Sequence, residues 1–261
     1  MKKKALFGSL TILVLIGMAV LTATYLAGAT GPDVCGRGSF LNQHACSELE
    51  QQILSATVRI TLESWVLAEE GKGYETKSST GHATVMNGRY LVTHNHFSLP
   101  LNSADAADSG ASVMVSLYDS GGELLFRGPL SAFDVVSVQE QTVVLAHKEE
   151  GFFEALGFRS ATFQAATALP LEPGMTVAQI DWDGQQTRVD WVTIERVILD
   201  EGTPRLVLFD GATAGASGGG IFWQGVHVAN NWGVGEYLGP AGEVIEAVTI
   251  AALNSAAVAG L

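Results

Sequence analysis

The strongest constraint on the fold is a series of short segments in which apolar and polar residues alternate. Residues 56–62 (ATVRITL) show this pattern, which is typical of a strand with one buried face. Similar segments follow at 83–86, 90–93, 113–117, 124–126, 142–146, 176–180, 191–199, 205–209, 220–223 and 226–229. Pairs such as Asn87-Gly88 and Asp183-Gly184 separate them, as expected of tight turns. Many short strands joined by turns predict an all-β, antiparallel sandwich or barrel.

Three stretches depart from this pattern. Residues 98–112 are small and polar and predict a long loop, and the segment SELEQQ at 47–52 is compatible with a short helix. Residues 241–257 place Val244, Ile245 and Val248 at helical spacing, which predicts a C-terminal helix packed on the barrel.

The N-terminal segment has the features of an export signal. Lys2, Lys3 and Lys4 precede an uncharged apolar run that extends to about residue 30. We interpret residues 1–30 as a signal peptide or an N-terminal membrane anchor, because the run is long enough to span a bilayer and also contains the small-residue motif Ala27-Gly28-Ala29. Both alternatives place the remainder outside the cytoplasm, secreted, periplasmic or anchored. Residues 31–54 then form a linker with a cysteine pair, and residues 55–261 form one folded domain.

The two cysteines, Cys35 and Cys46, are close in sequence and follow the export signal. In an oxidising compartment they are expected to form a disulfide, the alternative being two free thiols in a reducing compartment. A structural zinc site needs further thiolate or imidazole ligands, which this spacing does not supply. The net charge of −13 argues against a nucleic-acid partner, since phosphate binding requires clustered Lys and Arg.

A glycine-rich segment contains the candidate nucleophile. Ser217 lies in the run Gly215-Ala216-Ser217-Gly218-Gly219, just before an apolar strand. Acyl transfer requires an exposed hydroxyl beside backbone N–H groups that hold a developing oxyanion. Glycine before the serine allows the N–H groups of Gly215 and Ser217 to converge. The alternative interpretation is a flexible turn between strands.

A candidate general base follows the strand predicted at 90–93. His96 lies three residues after Thr93, and a serine hydroxyl needs such a base near neutral pH. His94 and His96 could instead be two metal ligands, although no third ligand has a useful spacing. A lone histidine is more often an ordinary surface or core residue.

Together these residues resemble a known family. Residues 81–96 (GHATVMNGRYLVTHNH) are similar to the strand–turn–strand that leads to the catalytic histidine of chymotrypsin-like serine peptidases. Residues 215–219 (GASGG) resemble the nucleophile loop of the same family, in particular of bacterial HtrA-type protease domains. We expect the peptide-binding domains of that group to be absent here. The similarity extends over about residues 55–255.

The resemblance implies two six-stranded antiparallel β-barrels and a serine endopeptidase that acts through an acyl-enzyme. Ser217 would be the nucleophile and His96 the general base, and the N–H groups of Gly215 and Ser217 would form the oxyanion hole. The strand at 228–232 would pair with an extended peptide or protein substrate. The resemblance implies no metal and no cofactor.

The third catalytic residue departs from the family pattern. The register of the resemblance places Gln141, which is not an acid, in the slot of the catalytic aspartate. Glu140 is one residue away, and Asp134 is a second candidate at an acceptable distance along the chain. If no carboxylate reaches His96, the chain is a weak dyad enzyme or a catalytically inactive binding module at the cell surface.

Specificity also differs from that of trypsin-like members. Gly211 stands where those enzymes carry an acid at the base of the pocket, and Asp210 is one residue out of register. We therefore expect a small or apolar residue on the acyl side of the cleaved bond.

The run Gly215-Ala216-Ser217-Gly218-Gly219 also matches the G-x-S-x-G nucleophile elbow of α/β-hydrolases. That alternative would require His227 as the base.

Overall fold

The computed structural model describes residues 35, 43–67, 73–97, 112–139, 141–163, 171–200, 203–238, 242 and 244–253. The predicted export segment at 1–30, and all of the predicted loop at 98–112 except Ser112, lie outside these residues. Helix α1 spans Gln43–Ser55, helix α2 spans Phe152–Ala155, and a 3₁₀ turn spans Leu130–Ala132. None of the described helices is long and apolar enough to cross a membrane.

The first sheet is a curled half-barrel of seven antiparallel strands in the order β5-β4-β1-β2-β3-β7-β6. Alternation along β1 buries Val58, Ile60 and Leu62 completely, because every second side chain of a strand faces the core. The strands are β1 (Thr57–Leu67), β2 (Tyr74–Met86), β3 (Tyr90–His94), β4 (Ser112–Tyr118), β5 (Leu124–Pro129), β6 (Phe133–Gln139) and β7 (Thr142–His147).

The second sheet is a closed barrel of six strands, in which β12-β9-β10-β11-β14-β13 return to β12. Strand β8 adds to β13 in parallel, at Val226 and His227. Val177, Ile194 and Leu206 lie in the barrel core. The strands are β8 (Thr162–Phe163), β9 (Thr176–Trp182), β10 (Thr187–Asp200), β11 (Thr203–Leu208), β12 (Gly220–Trp223), β13 (Val226–Leu238) and β14 (Val244–Leu253).

The all-β prediction is confirmed, with one barrel closed and the other curled but open. The C-terminal helix predicted at 241–257 is wrong, since Val244–Leu253 forms β14 between β11 and β13. Val248, Thr249, Ala251 and Ala252 are all buried, and periodicity does not separate a strand buried on both faces from a buried helix. The strand is favoured over the helix because β14 forms backbone hydrogen bonds with the edges of β11 and β13, which would otherwise remain unpaired.

The N-terminal cysteine segment is attached to the second barrel. The predicted disulfide between Cys35 and Cys46 is confirmed and indicates an oxidising compartment. Helix α1, which begins before Cys46, packs Ile53 against Ile180 and Phe222. The predicted short helix at 47–52 is therefore part of α1.

Candidate active site

His96 is positioned by the end of strand β3. The turn before β3 uses left-handed backbone at Asn87 and Gly88 (φ 49° and 65°), as the Asn-Gly pair predicts. Strand β3 ends at His94, and the next residue, Asn95, donates its backbone N–H to the carbonyl of Gln141 at 3.1 Å. His96 therefore lies just beyond the last bond between β3 and the segment that precedes β7.

His94 is neutral and supports His96. The two rings are 3.9 Å apart between centroids, and the His96 N–H donates to Nδ1 of His94 at 3.2 Å. Burial and the neighbouring His96 lower the pKa of His94 to about 3. His96 itself is exposed, with its ring edge-on to Trp232 at 6.4 Å. Desolvation lowers the pKa of His96, so the imidazole is neutral, as a general base must be, at neutral pH.

Ser217 lies in the loop between β11 and β12. The loop turns at Gly215 and Gly218, whose φ angles are +101° and +79°. At Gly218 a Cβ would overlap the carbonyl of His82 and the hydroxyl of Thr93. Glycine is required here by both the backbone angle and the close approach of strand β2.

The backbone bonds of this loop leave two N–H groups available. Ala216 N–H donates to Thr213, Gly218 N–H to Asn231, and Gly219 N–H to Ala216. The N–H groups of Gly215 and Ser217 bond to no residue that the structure describes. These are the two groups that the sequence predicts as oxyanion donors.

The junction between the sheets brings the Ser217 loop to the His96 segment. The carbonyl of Ser217 accepts from the His82 N–H at 2.7 Å. Gly218 lies against the His94 ring, whose centroid is 3.9 Å from that of the His96 ring, at a tilt of 51°. Within the described residues, no hydrogen bond joins Ser217 Oγ to His96. Catalytic hydrogen bonds of this kind are often long without substrate.

A cavity of about 290 Å³ opens beside Ser217. None of the described side chains that line it carries a charge. Asp210, the acid nearest the expected pocket base, is exposed and is not among these lining residues. The described lining residues are Ala212, Thr213, Ala214, Ser217, Asn231, Gly233 and Val234.

Strand β13 forms the far wall of this cavity. From Ala229 to Asn231 both of its edges are bonded, one to β14 and the other to β12 or the Ser217 loop. The segment expected to pair with substrate, residues 228–232, is therefore largely occupied. From Trp232 onwards, the edge of β13 that faces β12 has no described strand paired with it. Gly233 and Val234 in this part of the strand line the cavity.

The structure does not bring Asp134 to His96. Asp134 pairs with Ala146, which lies opposite Tyr90 at the other end of β3, and it forms an ion pair with Lys148 at 3.6 Å. Glu140 lies outside the described residues. Gln141, half-buried beside Asn95, has a buried Oε1 without a partner among the described residues.

One further carboxylate supports the cavity wall. Asp181 accepts from the N–H of Thr213 at 2.7 Å and from Arg188 at 2.7 Å. Burial acts to raise the pKa of Asp181, but these hydrogen bonds outweigh it and the pKa is lowered. The carboxylate therefore stays ionised and holds Thr213 in place.

Three buried polar residues of the site have no sequence signal, because their partners are distant in the chain. His82 bonds Gly215, 133 residues away, at 2.8 Å. Asn231 donates from Nδ2 to the carbonyls of Ile180 and Ala216 at 2.6 and 3.2 Å. Gln179 donates to Asn231 Oδ1 at 3.0 Å. Together with the backbone of Asn231, these bonds fix the residues on both sides of Ser217.

Two alternatives from the sequence are a metal site at His94 and His96 and an α/β-hydrolase site with His227 as the base. The described residues contain no group of three His, Cys, Asp or Glu side chains that could hold a metal ion. His227 is fully buried and bonds Asn230 at 3.0 Å, and the all-β fold is not that of α/β-hydrolases.

No protein-family model matches the chain, and no curated protein matches it.

Proposed function

We propose that this protein is an extracytoplasmic serine endopeptidase in which Ser217 is the nucleophile and His96 the general base. The observation that carries the proposal is the bonding of the Ser217 loop. Three of its N–H groups are bonded within the protein, while those of Gly215 and Ser217, on either side of Ala216, bond to no described group. Two such donors beside a serine hydroxyl and a neutral histidine suit the oxyanion of acyl transfer.

Each residue has a definite role in the proposed mechanism. His96 takes the proton of Ser217 as Oγ attacks the substrate carbonyl, and the oxyanion is held by the N–H groups of Gly215 and Ser217. His96 then gives the proton to the leaving amine, and an acyl-enzyme remains. Water activated by His96 hydrolyses the acyl-enzyme in the second half of the reaction.

The cavity supports a preference for a small or apolar side chain on the acyl side of the cleaved bond. Its described lining includes the apolar side chains of Ala212, Ala214 and Val234 beside uncharged polar ones, and its volume of about 290 Å³ accommodates an aliphatic side chain. A Lys or Arg side chain would bring a charge into a cavity whose described lining holds no carboxylate, which is unfavourable. The open edge of β13 from Trp232 onwards would hold the substrate backbone.

The test is labelling with a fluorophosphonate, which reacts with an assembled serine nucleophile. We expect the purified protein to be labelled at Ser217, and Ser217→Ala and His96→Ala to abolish labelling. Ser131→Ala, at an exposed serine of the 3₁₀ turn between β5 and β6, is the matched control and should be labelled like the parent. A folded parent that resists labelling across the pH range would reject the peptidase.

A second candidate is a catalytically inactive peptide-binding module with the same fold. It is favoured because no described carboxylate acts on the pKa of His96. The residue whose carbonyl accepts from the neighbouring Asn95 is the neutral Gln141. This module would bind apolar peptides equally well before and after Ser217→Ala and would not cleave them. The peptidase would cleave them only with Ser217 in place.

The export of the chain is part of the proposal. The disulfide indicates an oxidising compartment, and residues 1–30 would act as the signal peptide or anchor. N-terminal sequencing of the protein from a membrane and a soluble fraction distinguishes the two.

A further inference from the structure

His82 connects the first sheet to the nucleophile loop through bonds to Gly215 and Ser217. It lies on β2, fully buried, and its backbone N–H donates to the Ser217 carbonyl at 2.7 Å. Its Nδ1 is 2.8 Å from the Gly215 carbonyl oxygen, and its Nε2 is 2.8 Å from Thr187 Oγ1. One residue of the first sheet thus bonds the loop on both sides of Ala216.

The partners of the imidazole determine its tautomer. A carbonyl oxygen only accepts, so Nδ1 must carry the hydrogen that it donates to Gly215. Nε2 then has a lone pair and accepts from the Thr187 hydroxyl. Both ring nitrogens are satisfied in this single neutral form.

The surroundings of His82 keep the ring neutral. Burial lowers the pKa of His82 to about 4; the bond to Gly215 acts to raise it. Of the charged groups that face the ring, Arg59 on β1 lowers the pKa and Asp181 on β9 raises it. The neutral tautomer therefore persists at neutral pH.

The bond to Gly215 controls the orientation of one peptide unit. The peptide between Gly215 and Ala216 is flanked by the N–H groups of Gly215 and Ser217, which bond to no described residue and would hold the oxyanion. Gly215 has no side chain and adopts φ +101°, so its backbone has little intrinsic preference for one orientation. Holding its carbonyl towards β2 removes that freedom before substrate arrives.

We propose that His82 is a positioning residue of the oxyanion hole, whose Nδ1–H holds the Gly215 carbonyl so that the N–H groups of Gly215 and Ser217 converge. This inference rests on the proposed peptidase function. His82 does not touch the substrate; it acts through the loop.

Two matched substitutions separate this role from simple packing. The amide nitrogen of asparagine takes the place of Nδ1, whereas that of glutamine takes the place of Nε2. His82→Asn should therefore keep the bond to Gly215, and His82→Gln should keep only the bond to Thr187. We expect the Asn variant to label with fluorophosphonate near the parental rate and the Gln variant to be slower by about 100-fold, the usual effect of losing an oxyanion donor.

The control is His227→Gln, which changes an equally buried histidine of the second barrel and should label at the parental rate. Equal labelling of the Asn and Gln variants, both folded by circular dichroism, would overturn the proposal. Faster labelling of the Gln variant would do the same.

Nuclear magnetic resonance of the imidazole nitrogens makes the test independent of catalysis. The parent should show protonated Nδ1 and unprotonated Nε2 at neutral pH, and the reverse tautomer contradicts the inference. If the parent is never labelled, the peptidase fails. Hydrogen exchange of the Gly215 and Ser217 amides then tests whether His82 positions the loop, independently of catalysis. Faster exchange in His82→Gln than in His82→Asn supports this role, and equal exchange rejects it.

Discussion

Asn95 donates its backbone N–H to the carbonyl oxygen of Gln141 at 3.1 Å, which places a neutral amide beside the residue that precedes His96. The buried Oε1 of Gln141 has no partner among the described residues. An amide oxygen can orient a histidine by accepting from Nδ1, but it does not stabilise the imidazolium as a carboxylate does. His96 accordingly has a lowered pKa, caused by desolvation.

Gln141→Glu should raise the pKa of His96, because an opposite charge at this position favours the protonated ring. The expected rise is about 1–3 pKa units, measured by proton resonance titration of the imidazole. In the proposed peptidase, His96 acts only when it is unprotonated. The fall in labelling rate at acidic pH would therefore move to higher pH by the same amount.

The control for this change is Asp134→Asn, at the exposed carboxylate paired with Lys148. It should leave both the His96 titration and the labelling rate as in the parent. A large loss of labelling in Asp134→Asn, or an unchanged His96 pKa in Gln141→Glu, would contradict this arrangement.

Gly233→Val should fill the cavity without disturbing the fold. A Cβ at Gly233 meets nothing within 4 Å, and the residue lines the cavity beside Ser217. We expect kcat/KM for peptides with leucine at the acyl position to fall by at least about tenfold, the cost of losing one apolar contact site. Peptides with glycine there, measured in the same assay, should be cleaved as by the parent.

Gly218→Ala should disrupt the nucleophile loop. The methyl group would overlap the His82 carbonyl and the Thr93 hydroxyl, at a φ of +79°. The left-handed angle alone costs about 1–3 kcal/mol, and the overlap with backbone adds to it. Urea denaturation should show a loss above that range, together with loss of labelling, whereas Gly233→Ala should be neutral in both measurements.

Stability should decrease as the pH falls below about 6.5. Burial lowers the pKa of His82 to about 4, of His94 to about 3 and of His227 to about 4. In the unfolded chain these groups titrate near pH ~6.5. The unfolded state therefore binds more protons between these pH values, and stability present above ~6.5 is lost as the pH falls towards the folded pKa.

Thermal unfolding at a series of pH values measures this loss. His227→Gln, which is remote from Ser217, should remove about 3 kcal/mol of the pH-dependent part. A melting temperature that is constant from neutral pH to about pH 4 would show that these histidines are not buried as neutral groups.

The sequence alone determined the local features, because these depend on neighbours in the chain. Alternation at 56–62 predicts β1, Asn87-Gly88 predicts the turn before β3, and the nearby cysteines predict their disulfide. The motifs around His96 and Ser217 predict a general base and a nucleophile, and the segments that carry them meet at the junction of the two sheets.

Tertiary structure decided what depends on distant partners. Residues 244–253 form a strand because β11 and β13 both need its backbone hydrogen bonds, which outweigh the helical spacing of its apolar residues. Asp134 is directed away from His96 by the register of β6 on β7. His82 bonds Gly215 only because the two sheets pack together. The two residues are 133 positions apart, so the sequence pattern around either one does not indicate this bond.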